Sequence, residues 1–168
     1  MIEFTKHESI TKQLYWVQKA LTTKKDDPRK YVTHICVADE KIIATDGQRL
    51  HCYCENDCLI NGFYAVVKAT KTKMILDYKG LEIYYPETRD LFIVDDDLKS
   101  FVVGEYDISN SYTNIIRSLK THTVNLQFIQ DLLCLNEEFH CFTRNDESPI
   151  VFKNDSKKAI IMSMIARG

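Results

Sequence analysis

Ala44-Thr45-Asp46-Gly47-Gln48-Arg49-Leu50 is the stretch on which the reading of this chain turns. Locally it is the end of one strand, a turn and the start of the next. Asp46 can accept backbone N–H bonds from the residues that follow it, and Gly47 can take the positive φ such a turn needs. Working outward, residues 31–38 and 41–54 read as strands, with Asp39-Glu40 as the tight turn between them. Further upstream, Ile10, Leu14, Val17 and Leu21 recur at spacings of four, three and four residues. That period predicts an amphipathic helix over residues 9–22, with Ser9 as N-cap and the stretch ending at Pro28 as its stop. Residues 1–6 open the unit as a strand.

The same order of strand, helix, then two or three strands recurs twice downstream. The second copy has a strand at 63–67 after Gly62, a weaker helix over 69–78, and strands at 81–85, 91–94 and 101–103. The third has a strand at 123–124, Asn125 as N-cap and a helix over 126–135, with Leu126, Ile129, Leu132 and Leu133 facing inward. Strands at 138–143, 150–153 and 159–165 close it. Units of about 45 to 60 residues are the size of structural repeats. The pattern predicts an α+β fold, with helices on one face of antiparallel sheets.

The chain has 168 residues, 22 basic and 24 acidic side chains, and a formal charge of -2. A polybasic protein is excluded, so any nucleic-acid contact must come from a local basic face. No apolar run reaches the roughly 18 to 20 residues that span a bilayer, and Met1 to His7 carries no apolar signal region, so a soluble, cytoplasmic protein is expected. The six cysteines are then reduced thiols. Cys52, Cys54 and Cys58, beside His51, have the wrong spacing for a zinc knuckle and no second ligand pair. Asp95-Asp96-Asp97 lacks the alternating ligands of a calcium loop. No phosphate loop, nucleophile elbow or zinc-protease motif occurs, and the five histidines are scattered. The expectation is no catalytic residue, no metal, no cofactor and no enzymatic activity.

The first helix carries a candidate surface. Lys12, Trp16 and Lys19 fall within about 60° of one another opposite the aliphatic stripe, and Lys24 and Lys25 continue the charge. One reading is a helix that tracks phosphates with lysines and offers an aromatic ring. The other is that Trp16 packs beneath a neighbouring element and the lysines are ordinary solvated charges. The second helix adds Lys68, Lys71, Lys73 and Lys79, whereas the third offers Gln127, Gln130 and Asp131 and no lysine.

The segment Ala44 to Leu50 resembles the A-T-D-G-[HQ]-R-L string in the middle domain of the bacterial β sliding clamp (the DNA polymerase III beta subunit), the ring-shaped processivity factor of replicative DNA polymerase. Its flanks are similar in order. The first helix followed by Tyr31-Val32-Thr33-His34-Ile35 looks like the start of that domain, and Val66-Val67-Lys68 is similar to the V-P-[RK]-K of its second helix. Gly104 onward, with Tyr112-Thr113-Asn114-Ile115-Ile116, resembles the G-x-F-P-D-Y-x-x-V-[LI]-P stretch without its prolines. Asn145-Asp146-Glu147-Ser148-Pro149-Ile150 and Ile160-Ile161-Met162-Ser163-Met164 look like the [TN]-D-x-x-x-P-[VI] and terminal V-[VM]-M-P-M segments of the last domain, with Ser163 at the proline. The resemblance therefore assigns residues 1–121 to a middle-domain-like part and 122–168 to half of a last-domain-like unit.

What the resemblance implies is a non-enzymatic DNA-clamp-like protein with two kinds of contact. A hydrophobic pocket for partners' short linear motifs would be lined by Val32, Thr45, Gly47, Gln48, Arg49, Leu50, Ile115, Ile160, Met162 and Met164. Sequence-independent contact with double-stranded DNA would fall to Lys12, Trp16, Lys19, Lys68, Lys71 and Lys73. The implied partners are DNA, a DNA polymerase and other clamp-motif proteins. A homo-oligomeric ring is implied too, a tetramer by the arithmetic of helical units. The alternative is a clamp-derived adaptor or competitor that binds clamp-motif proteins without encircling DNA.

Overall fold

The computed structural model describes residues 1–24, 26–82, 85–86, 98–104, 107–119, 122–143 and 149–165. The expected strand at 91–94, Asp95-Asp96-Asp97, Lys25 and the stretch 145–148 lie outside the described residues. By compactness the chain divides into two units, Met1–Pro86 and Glu87–Gly168. The boundary at residue 121, drawn from resemblance, is a different cut.

In the first unit, β1 (Ile2–Thr5) leads into α1 (Ser9–Gln18), followed by β2 (His34–Ala38), β3 (Lys41–Thr45), β4 (Arg49–Tyr53), β5 (Gly62–Thr70) and β6 (Lys73–Tyr78). The strands form an antiparallel sheet in the order β1-β6-β5-β2-β3-β4. Asp39 and Glu40 both hold positive φ, 49° and 61°, which is the two-residue hairpin turn whose twist matches its strands. The turn sets the register Ala38↔Lys41, Val37↔Ile42 and Cys36↔Ile43. β1 closes the far edge by pairing Ile2 with Leu76 and Phe4 with Met74. Side-chain alternation places Phe4, Met74, Leu76, Tyr64, Ile35, Ile42, Ala44 and His51 on one face, all buried, where α1 lies over them with Ile10, Leu14 and Val17.

α1 is shorter than expected and starts differently. It ends at Gln18, and Lys19, Ala20 and Leu21 continue in tighter turns by donating to carbonyls three residues back. Glu8 rather than Ser9 occupies the N-cap position, and the Glu8 carboxylate instead accepts the Thr5 N–H.

The helix expected over 69–78 is absent, because the segment is the β5–β6 hairpin. Met74 and Leu76 are buried with the two-residue period of a strand, not the period of a helix. Thr70 ends β5 just before the turn at 71–72, and its Oγ1 accepts the Lys73 N–H at 2.9 Å and donates to the Lys73 carbonyl at 3.1 Å. A register shift between Val66 and Lys68 marks a bulge in β5.

The second unit contains β7 (Lys99–Val103), α2 (Ile108–Leu119), β8 (His122–Thr123), α3 (Leu126–Leu132), β9 (Phe139–Thr143), β10 (Ile150–Lys153), β11 (Lys157–Ile161) and β12 (Met164–Ile165). Its sheet runs β11-β10-β9-β7, and β12 pairs separately with β8. Asn125 caps α3 as expected, its side chain accepting the Gln127 N–H at 2.9 Å. Apolar periodicity in the sequence does not announce α2. Its buried positions, Ser111, Ile115, Ser118 and Leu119, do carry a helical period, but two are serines, so a count of apolar residues misses it. The expected strand over 159–165 is broken into β11 and β12 at Met162 and Ser163.

Candidate partner-docking and DNA-facing surfaces

The turn between β3 and β4 is held by its own side chains. Thr45 Oγ1 donates to the Arg49 carbonyl at 2.6 Å and accepts the Gly47 N–H at 3.0 Å. The Asp46 carboxylate accepts the backbone N–H groups of Gln48 (2.9 Å) and Arg49 (3.0 Å) and pairs with Arg49 Nε at 3.1 Å. Arg49 is thereby folded back onto the turn, with 9% of its side chain exposed, rather than extended as a donor at a rim. Gly47 has φ +90°, and a Cβ there would lie 3.2 Å from Arg29 Nη1.

That contact reveals a cation that sequence reading did not connect with the site. Arg29 is half exposed and paired with Asp27 at 2.9 Å. Hydrogen bonding from Arg29 pulls the Asp27 carboxyl down to about 2. No local motif announces the approach, because the residues between Arg29 and Gly47 form a separate hairpin.

The residues expected to line a pocket fall into two classes. Val32 and Ile115 are fully buried, and Leu50 and Ile160 nearly so, which makes them core residues of their units. Gly47 and Gln48 are exposed on the first unit, and Met162 and Met164 on the second, the methionines with 39% and 42% of their surface open. The methionines stand two residues apart, around the break between β11 and β12.

The candidate DNA-facing residues are also redistributed. Trp16 is completely buried, which corrects its assignment to a surface contact. Its ring stacks on His51, with centroids 4.3 Å apart and planes inclined by 15°, and His51 Nδ1–H donates to the Trp16 carbonyl at 2.9 Å. Thr11 and Ala20 are fully buried as well, so α1 and the turn after it sink into the unit over an arc much wider than the aliphatic stripe. The open strip that remains carries Lys12, which is exposed, and Lys19, whose ammonium lies 5.1 Å from the Tyr15 ring centroid. Lys68 and Lys73 are strand residues on the sheet face opposite α1, where Lys73 pairs with Glu3, while Lys71 sits in the hairpin turn. The lysines thus do not form one basic surface with Lys12 and Lys19.

The same alternation separates His51 from the thiols. His51 faces α1, whereas Cys52 lies on the other face, and Cys54 sits just past the end of β4. No cluster of three or more potential metal ligands occurs among the described residues.

A helix-covered antiparallel sheet followed by a second unit of the same kind is the fold of the DNA polymerase sliding clamps. A Eubacterium rectale structure described as a putative DNA polymerase III beta subunit matches with a TM-score of 0.64 at 10% identity, over 97% of this chain and 64% of that one. The Bacillus subtilis sliding clamp matches at 0.61 and 12% identity, over 99% and 64%. The Helicobacter pylori beta clamp, solved with a DNA ligase peptide bound, matches at 0.59 and 11% identity, over 92% and 63%. The chain thus spans a little under two thirds of the length of these clamps. No protein-family model matches the sequence, and no curated protein does.

Proposed function

We propose that this chain is a reduced, non-enzymatic, cytoplasmic clamp-type scaffold whose main task is to dock partner proteins through a short linear motif. The carrying observation is the pair Met162 and Met164, large apolar side chains left open in a segment that resembles the terminal motif of the clamps. Flexible methionines form adaptable docking surfaces. The peptide-bound Helicobacter pylori clamp, with the same fold, supports the reading. In it, residues 1–121 stand for a clamp middle domain and 122–168 for half of the last. Ile160, nearly buried in β11 just before the methionines, belongs to the core of that unit rather than to the contact surface.

The experiment is a fluorescence-polarisation titration with a labelled clamp-motif peptide. Met162→Ala with Met164→Ala should weaken binding about tenfold or more, a loss of roughly 1.4 kcal/mol or greater. Both side chains are exposed, so the fold survives the change. Unchanged affinity removes this reading.

A second reading has its own observation, the open strip of α1 with Lys12 and Lys19. It makes the chain a processivity factor that holds double-stranded DNA without sequence preference and closes its ring from several copies. Light scattering across a concentration series distinguishes the two. A multimer several times 19.6 kDa supports the ring, and a monomer at every concentration supports the adaptor.

A further inference from the structure

We propose that Cys52 and Cys54 form a peroxide-sensitive dithiol switch at the end of β4. Their sulfurs lie 3.8 Å apart, Cys52 in the strand and Cys54 in the bend just past its last residue, Tyr53. Cys52 is buried beside its cross-strand partner Ile43, and Cys54 is half exposed, so one thiol can meet a small oxidant while the other waits next to it. Three other thiols are held above their usual range, which keeps them protonated. Burial pushes Cys36 up to about 11, and burial raises Cys141 further still. Cys58 is exposed, but partial burial and the carboxylates of Asp57 and Glu8 also raise it.

The chemistry needs one equivalent of hydrogen peroxide. The Cys54 thiolate attacks a peroxide oxygen, the O–O bond breaks, and the departing hydroxide takes a proton to leave as water. Cys54 is then a sulfenic acid, oxidised by two electrons. Cys52 sulfur attacks the Cys54 sulfur, the S–S bond forms as the S–OH bond breaks, and the expelled hydroxide leaves as a second water with the Cys52 proton. Two thiols and one peroxide thus give one disulfide and two waters.

The bridge has a mechanical consequence. The bridge would close across Tyr53, the last residue of β4, in a ring too tight for extended backbone there. Closing it puckers the strand at Tyr53, the residue between the cysteines, which pairs with Ile42. Oxidation therefore loosens the β3–β4 hairpin a few residues from the Asp46–Arg49 turn. The strained bridge is readily reduced, which makes the change reversible.

The test uses the whole reduced chain, treated with a small excess of hydrogen peroxide. Thiol counting, intact mass and peptide mapping should show two of the six thiols lost, as an internal Cys52–Cys54 disulfide two hydrogens lighter and restored by dithiothreitol. Amide exchange at Ile42 and Tyr53 should quicken by about tenfold in the oxidised form. Cys54→Ser, at a half-exposed position, should fold, form no bridge and show no such change, while Cys58→Ser should behave as the parent. Retention of both thiols, a Cys54–Cys58 bridge, or a Cys52–Cys54 bridge with unaltered exchange would each overturn the proposal. None of these outcomes depends on peptide binding, so this switch and the docking reading stand or fall separately.

Discussion

Single residues decide the β3–β4 turn and the chemistry of the buried thiols. Gly47 holds φ +90° against Arg29, so Gly47→Ala should cost about 1 kcal/mol in urea unfolding, mostly as backbone strain and only partly as displacement of a flexible guanidinium. The turn itself was legible, because Asp46 and Gly47 are the residue types such a turn demands. Arg49 was not: sequence shows a cation but not that Asp46 would turn it inward. Trp16 failed in the opposite direction. A helical wheel built from aliphatic positions put it outside the buried arc, and only the His51 ring on β4 explains why it is inside. Cys36 carries a pH prediction. Burial raises its thiol from 9.0 to about 11, so the folded state holds that proton more tightly than the unfolded state. The contribution is fully present below about pH 9 and is lost as pH rises through 11. Thermal melts in that window should fall with pH, and Cys36→Val should flatten part of the slope, the other raised thiols and phenols, Tyr85 and Cys141 among them, contributing to what remains.

β9 and β10 follow their apolar positions closely. α3 forms where its apolar period predicts it but ends at Leu132, and Leu126, expected inward, is 42% exposed, whereas α2 hides its period behind Ser111 and Ser118. The β5–β6 hairpin falls where the repeated strand-helix-strand order predicts a helix, and the alternation of Met74 and Leu76 is the sequence signal that marks it as strand. At this scale the most exacting contact joins β11 to the loop before β9. Lys157 is 1% exposed and its ammonium bonds both Glu137 oxygens, at 2.7 and 2.6 Å. Asn154 Nδ2 donates to the same carboxylate at 3.2 Å. Lys157→Ala should destabilise the chain by roughly 2–3 kcal/mol, less than a fully buried pair, since Glu137 keeps a third of its side chain in water. Lys157→Met combined with Glu137→Leu should recover most of that loss in the same denaturation assay, because an apolar pair leaves no charge stranded.

For the molecule as a whole, the sheet faces set where charge can act. Any DNA contact through α1 rests on Lys12 and Lys19, so Lys12→Glu with Lys19→Glu should abolish the salt-sensitive part of DNA binding. The matching changes at Lys68 and Lys73, on the opposite sheet face, should leave it intact in a mobility-shift series across ionic strength. The clamp likeness was legible because a few turn and terminal strings survive, even at the 9–12% identity the solved clamps show. Which lysines share a surface was not legible, since that depends on whether residues 69–78 are helix or hairpin. The pairing of β1 with β6 also bears on when the protein can form at all. The β2–β3 and β3–β4 hairpins join strands a few residues apart and can pair as soon as they exist, whereas Ile2 must wait for Leu76. On the ribosome, then, β1 stays unpaired until β6 has emerged. A nascent chain halted short of Tyr78 holds Phe4 and the underside of α1 without the Met74 and Leu76 that cover them, and that interval leaves apolar surface open.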